Sequence, residues 1–259
     1  MSLQSSMTQL IAVGSSDAFN HGGRANSSFW VDDHVGSYLL DCGPTTTMAL
    51  QRLNSSSQIK LAALDVIYLT HLHGDHMGGL PVLILELCFG QKRTRPLLIA
   101  GPTNTESRVK ALCDCMYRGM LGGMLTFELC FAEWPLKGEE TYGQRIVKSI
   151  PAHHDVQASP TSIRISDGRC DIAFSGDTGW SDDLIELSNG ADAFVVECSH
   201  SEAVFPGHLS LKELEAKRAL LTPKRLILTH FGLESRTAAL KHSNRLRLMV
   251  ADDGVVWKI

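Results

Sequence analysis

Thr70-His71-Leu72-His73-Gly74-Asp75-His76 is the stretch on which the reading of this chain turns. It places imidazoles and a carboxylate in one short run between two apolar segments, Leu64 to Leu69 and Met77 to Cys88. That pattern predicts a buried strand, a tight turn at Gly74 and the start of a helix. In extended backbone His71 and His73 point to the same side, so their nitrogens can meet at one metal ion. Asp75 and His76 follow the turn and can face a second ion. Polar residues in a surface turn are the plainer alternative. So many ligand-type groups against buried apolar flanks are costly without a purpose, which favours a metal site.

The chain has 259 residues, with 44% hydrophobic and 20% charged residues. These values suit a soluble globular protein, read here as one domain over residues 1–259. The formal net charge is -4, so the whole chain does not advertise nucleic-acid binding. It has 7 Cys, an odd number without a C-x-x-C pair, mostly inside apolar segments. Buried reduced thiols and a cytoplasmic location follow. No secretory apolar segment opens the chain at residues 1–6, and no apolar run is long enough to span a membrane.

Working outward, residues 7–13 read as a first strand, followed by a Gly-rich loop from Gly14 to Asn26. Short β-like runs lie near 28–32 and 36–41, with a helix near 45–53. Further strands are expected at 64–70, 125–131, 144–152, 193–197 and 225–229, and helices near 78–90, 104–119, 181–188 and 210–221. Residues 161–165 and 170–175 form a hairpin around Asp167-Gly168. Strands come first and mixed αβ units follow, twice over, which suggests two packed sheets with helices outside.

Later strands end in further candidate ligands: His153-His154 after Pro151, Asp177 after Phe174, and His230 after Leu228. Loops above a rigid sheet are where sites are commonly built. Singly each is weak, since a lone His at a strand end is more often a structural residue. Together they form an inventory. His71, His73 and His154 suit one ion, Asp75, His76 and His230 a second, and Asp177 can bridge them. Imidazole and carboxylate without thiolate suit Zn²⁺ first, with Mn²⁺ or Fe²⁺ as alternatives.

This ordered set, His71-x-His73-x-Asp75-His76 followed by a His, Asp177 and His230, resembles the metallo-β-lactamase superfamily. Within it, the chain is most similar to the ribonuclease Z-like phosphodiesterase branch. The resemblance implies an α/β fold, an αββα four-layer sandwich of two mixed β-sheets with helices outside and a dinuclear site at one edge. His153 and His154 compete for one ligand role, and the family spacing after Pro151 favours His154. Glu197 resembles the acidic residue that ends the strand after the bridging Asp. His208-Leu209-Ser210 resembles the family's His-Ser-Thr motif, whose His protonates the leaving oxygen. A Glu197–His208 pair makes chemical sense, because the carboxylate orients the imidazole and raises its pKa. A helix-entry role for His208, with Ser210 as cap, is the alternative.

The implied catalytic residues are thus Asp75, His208 and Glu197. The implied activity is hydrolysis of a small or cyclic phosphodiester by a metal-bridging hydroxide. Hydrolysis of a carboxylic ester, thioester or lactone on the same site is the alternative. Transfer-RNA processing is less favoured, because the long Gly/Pro-rich arm of that branch is missing between His154 and Asp177. Partners are therefore a small-molecule substrate, no membrane, nucleic acid only as a lesser alternative, and by analogy a second copy in a homodimer. Two weaker substrate hints are the loop His21-Gly22-Gly23-Arg24 beside the site and the basic run Gln91 to Arg95, whose plainer reading is a solvated helix end. Trp180 is read as packing rather than as a base-stacking residue.

Overall fold

The computed structural model describes residues 7–259. The first sheet is built from β1 (Gln9–Gly14), β2 (Ser28–Asp32), β3 (Ser37–Leu40), β4 (Leu64–Tyr68), β5 (Leu97–Pro102) and β6 (Leu129–Trp134). The second takes β7 (Gly138–Tyr142), β8 (Arg145–Pro151), β9 (Thr161–Ser166), β10 (Asp171–Phe174), β11 (Ala193–Glu197), β12 (Leu226–Thr229) and β13 (Met249–Val250). A last strand, β14 (Val256–Lys258), returns to pair antiparallel with β1 and gives two seven-stranded sheets.

Each sheet opens antiparallel and continues parallel. β1, β2 and β3 are antiparallel, then β3 to β6 run parallel. β7 to β10 are antiparallel, then β10 to β13 run parallel. The parallel crossovers carry helices α1 (Thr46–Ser55), α2 (Gly74–Met77), α3 (Leu80–Leu85) and α4 (Thr105–Met116) on the first sheet. On the second they carry α6 (Asp183–Ser188), α7 (Leu211–Lys217) and α8 (Ser235–Leu246); a short α5 (Met120–Gly123) precedes β6.

Strand alternation explains the layers. Leu10 and Ala12 of β1, Phe29 and Val31 of β2, and Val66 and Tyr68 of β4 belong to the core shared with the second sheet. Their neighbours Ile11, Val13, Trp30, Ile67 and Leu69 join Leu50, Leu80, Leu83 and Val109 in a separate core beneath the outer helices. A strand buried on both faces needs apolar residues at every position, which is why these runs read as continuous rather than alternating. The αββα expectation holds.

Three local readings are corrected. The strand expected at 125–131 begins only at Leu129 and runs to Trp134, while Phe127 packs into the helix-side core from a loop. The strand β7 was not anticipated. It is an edge strand, Gly-Glu-Glu-Thr-Tyr, mostly exposed, and so lacks the alternation that marks a half-buried strand. The helix expected near 78–90 starts earlier, at Gly74, and breaks into α2, α3 and a wide turn over Glu86–Gly90.

The two sheets are tied at the end remote from the His-rich stretch. Arg145, at the start of β8, donates through Nε and Nη2 to both oxygens of Asp33 in the β2–β3 turn, at 2.6 and 2.7 Å. The pair is buried, and the guanidinium lies 5.0 Å from the Tyr38 ring centroid. Removing one member of a buried pair strands the other charge. Arg145→Ala is therefore expected to lower unfolding stability by about 3–5 kcal/mol in urea titration, whereas Arg95→Ala, which removes a half-exposed partner of Asp65, costs less than about 1 kcal/mol.

Candidate metal centre

β4 ends at Tyr68, and Thr70 to His73 continue past the sheet before α2 begins at Gly74. Close approach shapes this corner: a Cβ on Gly43 would sit 2.0 Å from the Asp75 carbonyl oxygen. His154 follows β8, Asp177 follows β10 and His230 follows β12. The first sheet thus supplies His71, His73, Asp75 and His76, and the second supplies His154, Asp177 and His230. Gly176, at φ +56°, turns the chain in a left-handed conformation beside Thr70 and delivers Asp177 to the boundary.

These side chains converge as two neighbouring groups. Ligand atoms of His71, His73 and His154 lie within 4.8 Å of one another, as do those of Asp75, His76, Asp177 and His230. Asp177 faces both groups. Its Oδ2 is 3.9 Å from His71 Nε2 and 4.0 Å from His154 Nε2. Its Oδ1 is 3.3 Å from His76 Nε2 and 3.2 Å from His230 Nε2. One carboxylate therefore offers one oxygen to each group, the geometry a bridging ligand needs. His153, by contrast, is exposed, and its backbone pairs with Thr178 and Gly179.

The donor set fits divalent ions on a direct criterion. His71 Nε2, His76 Nε2, His230 Nε2 and Asp177 Oδ1 are buried and make no hydrogen bond. Buried polar atoms are normally satisfied, and these orphans point at one small region. Imidazole nitrogens and a carboxylate oxygen are what divalent ions take up, here His71 in one group, His76 and His230 in the other, and Asp177 between them. Electrostatics agree. Burial holds the His71 imidazole well below its ordinary pKa, keeping its lone pair free. Burial opposes charge on His76 and His230 as well, but carboxylates outweigh it: Asp177, Asp75 and Asp41 raise His76, and Asp177 with Asp75 raises His230 to about 9. A site that draws protons this strongly draws divalent cations by the same field.

Each imidazole is oriented from behind. His71 Nδ1 is 3.1 Å from Thr70 Oγ1, His73 Nε2 3.2 Å from Asp155 Oδ2, and His76 Nδ1 2.8 Å from Asp41 Oδ2. His154 Nδ1 is 2.9 Å from the Gly207 carbonyl, and His230 Nδ1 2.9 Å from Ser199 Oγ. Such outer contacts fix which nitrogen faces the ion and how the ring is turned. Asp41 matters most. It is fully buried in a left-handed conformation at φ +57°, and accepts from the Thr70 backbone N–H and hydroxyl besides His76. The sequence reading passed over it, although it ends a strand just as Asp177 and His230 do. Ser199 and Asp155 were also missed; nothing in their sequence context separates them from surface polar residues.

Glu197 and His208 also meet. His208 Nδ1 lies 2.9 Å from Glu197 Oε1, and Glu197 also accepts from Thr178 N–H and from the Ser199 hydroxyl. Burial would lower the His208 pKa, but the hydrogen bond and charge of Glu197 raise it overall. Ser210 also caps α7, with Glu213 completing a capping box, so the helix-entry role exists alongside the pair. The other hints divide. His21 lines the same cavity as the metal groups. Arg93 is buried, donating to the Arg95, Pro96 and Ala62 carbonyls, and Arg95 pairs with Asp65, so the basic run is structural rather than a solvated helix end or a phosphate contact. Trp180 donates to Asp182 and lies under Lys217, outside the cavity lining.

Residues 8–252 match the family described as Anti-Pycsar protein Apyc1. The chain belongs to this family. Relatives of the Apyc1-family chain include an uncharacterized protein of Mycobacterium tuberculosis, 31% identical over 204 residues, covering 76% of this chain and 70% of that protein. The ribonuclease Z of Ignicoccus hospitalis is 25% identical over 282 residues, covering 86% of this chain and 88% of that enzyme. Among solved structures, the metallo-β-lactamase-fold protein YhfI from Bacillus subtilis superposes with a TM-score of 0.74 at 21% identity, over 96% of this chain and 98% of that one. The Apyc1-family chain thus lies in the metallo-β-lactamase superfamily, on its ribonuclease Z-like branch. No helix among the described residues is long and apolar enough to cross a membrane.

Loss of an outer partner typically lowers metal affinity about 10–100-fold. Asp41→Asn is expected to do so, measured by competitive chelator titration, with Ser199→Ala weaker because a water can replace a hydroxyl. Equal affinity in Asp41→Asn and the parent would show that His76 needs no such anchor.

Proposed function

We propose that this chain is a metal-dependent phosphodiesterase acting on a small or cyclic phosphodiester. The observation that carries this reading is the Glu197–His208 pair beside the two ligand groups. The ring of His208 stacks at 14° on His230 with centroids 5.6 Å apart, and it lines the cavity. Glu197 takes Nδ1, which leaves Nε2 free for a substrate. An alkoxide is a poor leaving group, and a held imidazolium supplies the proton it needs. An ester or lactone makes less demand on such a donor.

His71, His73 and His154 would hold one divalent ion, and Asp75, His76 and His230 the other, with Asp177 shared. Bound there, the ions supply Lewis acidity, which acidifies water and neutralises charge gathering on phosphoryl oxygens. The protein does the rest. Asp75, at 3.2 Å from His76 Nε2 and lining the cavity, is placed to take the proton of the attacking water. His208 Nε2 gives a proton to the leaving oxygen while Glu197 stabilises the imidazolium that preceded it.

Size and charge support a small substrate. The cavity is about 540 Å³, within the range of small-molecule sites. None of the described lining residues is Lys or Arg, whereas a long polyanion such as transfer RNA asks for a cationic track. Between His154 and Asp177 the chain forms only a one-turn helix and the β9–β10 hairpin, with no projecting arm.

Hydrolysis of nucleoside cyclic phosphates, bis(p-nitrophenyl) phosphate, an ester and a lactone tests the reading on metal-loaded protein. Asp177→Ala and chelation should abolish diester turnover together with bound metal. His208→Ala should lower kcat on the cyclic phosphates about 10²–10⁴-fold, and less on the nitrophenyl diester, whose leaving group is already activated. Turnover of the ester or lactone alone, indifferent to His208→Ala, would replace the phosphodiesterase reading with the carboxylic one.

A further inference from the structure

Behind the metal groups, the two sheets meet at the carbonyl oxygen of Thr70. β4 ends at Tyr68, and its pairing with β3 and β5 stops there. Thr70 lies two residues further on and is fully buried, so its carbonyl needs a partner that its own sheet no longer supplies. Thr161, the first residue of β9 in the second sheet, supplies two donors. Its N–H donates to the Thr70 carbonyl at 3.0 Å, and its hydroxyl donates to the same oxygen at 2.8 Å. The N–H alone would satisfy that oxygen, so the hydroxyl does more than fill a vacancy.

The hydroxyl is fixed in direction. A threonine hydroxyl has one proton and two lone pairs. The proton goes to Thr70, and a lone pair accepts the Trp134 indole N–H at 3.2 Å. Trp134 ends β6 and is buried in the core between the sheets. A second bond between the sheets lies two residues along the motif, where the Leu72 N–H donates to the Ala158 carbonyl at 2.9 Å.

This joint reaches the ligands by several routes. The Thr70 carbonyl shares one planar peptide unit with the His71 nitrogen, so holding the oxygen sets the direction in which the chain enters His71. Thr70 also donates to both oxygens of Asp41, through its N–H and its hydroxyl at 2.8 Å each, and Asp41 holds His76 Nδ1. Gly176, which turns the chain into Asp177, packs against the same place. A Cβ there would lie 2.8 Å from Thr70 Cβ and 3.2 Å from the Thr161 carbonyl oxygen. Thr161 thus stands behind ligands of both groups, although it is buried and does not line the cavity.

We propose that Thr161 is a positioning residue for the metal centre. Its hydroxyl, aimed by Trp134, holds the Thr70–His71 peptide in the register at which the first sheet's ligands meet those of the second. This role holds whichever substrate the centre takes.

The test uses the full chain and the metals alone. Zn²⁺ affinity is measured by competitive chelator titration, the absorption spectrum is recorded with Co²⁺ bound, and Tm is measured on metal-free protein. Thr161→Val keeps a β-branched side chain of similar shape and removes the hydroxyl. It is expected to weaken Zn²⁺ binding about tenfold, the lower end of what loss of an outer contact costs, and to change the Co²⁺ spectrum. Thr161→Ser keeps the hydroxyl and should retain both the affinity and the spectrum of the parent. Thr161→Ala against Thr161→Ser is a second pair that differs by the hydroxyl alone, and it decides the question should Thr161→Val fold poorly. Trp134→Phe removes the indole N–H but leaves the bond from Thr161 to Thr70, so it should lower Tm while Zn²⁺ affinity stays within about twofold. If the Val and Ala variants lower Tm but keep Zn²⁺ affinity within about twofold and the Co²⁺ spectrum unchanged, Thr161 only stabilises the fold and the proposal is overturned. Equal loss of affinity in Trp134→Phe and Thr161→Val would also overturn it, by tracing the effect to core packing. A parent chain that binds neither ion would remove the metal centre and the positioning role together.

Discussion

The carboxylate of Asp177 sits between two groups of imidazoles that come from different sheets, and neither group is complete without the sandwich. His71, His73 and His76 hang from the end of β4 in the first sheet, while His154, Asp177 and His230 hang from strand ends in the second. Bringing them together buries several nitrogens and a carboxylate oxygen without hydrogen-bond partners. Each such atom is costly to bury alone. The core therefore has to hold the two sheets in register against that cost, and the seam between Arg145 and Asp33 at the far end does part of that work.

A second layer keeps the arrangement from relaxing. Asp41, Thr70, Asp155, Ser199 and the Gly207 carbonyl each take the outward nitrogen of one imidazole. The layer is itself connected: Thr70 donates to Asp41, and Ser199 donates to Glu197, which also holds His208. Glu197 thus touches both the proposed proton donor and, through Ser199, the candidate ligand His230. Binding geometry and proton transfer share one carboxylate, so a substitution there would disturb both.

The loop after β1 is a preorganised part of the cavity wall. Its backbone is pinned by Asp17, Asn20 and the Phe231 backbone, and its side chains face outward from a rigid base. Preorganised walls lower the entropy lost on binding. The absence of Lys and Arg from the described lining leaves charge recognition to the metal centre.

The sequence by itself determined the motif and the order of its parts. The His71–His76 stretch, the strand-end positions of His154, Asp177 and His230, and the two-sheet sandwich follow from residue type, period and punctuation, all of which are local. Local signals failed at the edge strand β7, where solvent on both sides erased the pattern, and in the apolar run before Leu129, where a loop packed as deeply as a strand. The partners of the site were beyond the sequence. Asp41 lies 35 positions from His76, and Asp155, Ser199 and Asp17 look like ordinary polar residues until the chain folds. Only tertiary structure decided that Arg93 and Arg95 serve their own loop, and it supplied the contacts that hold His154 inward, leave His153 outward and orient His21 at the cavity. The physical reason is that a hydrogen bond or a buried charge is defined by what surrounds it, and those surroundings are assembled from both sheets at once.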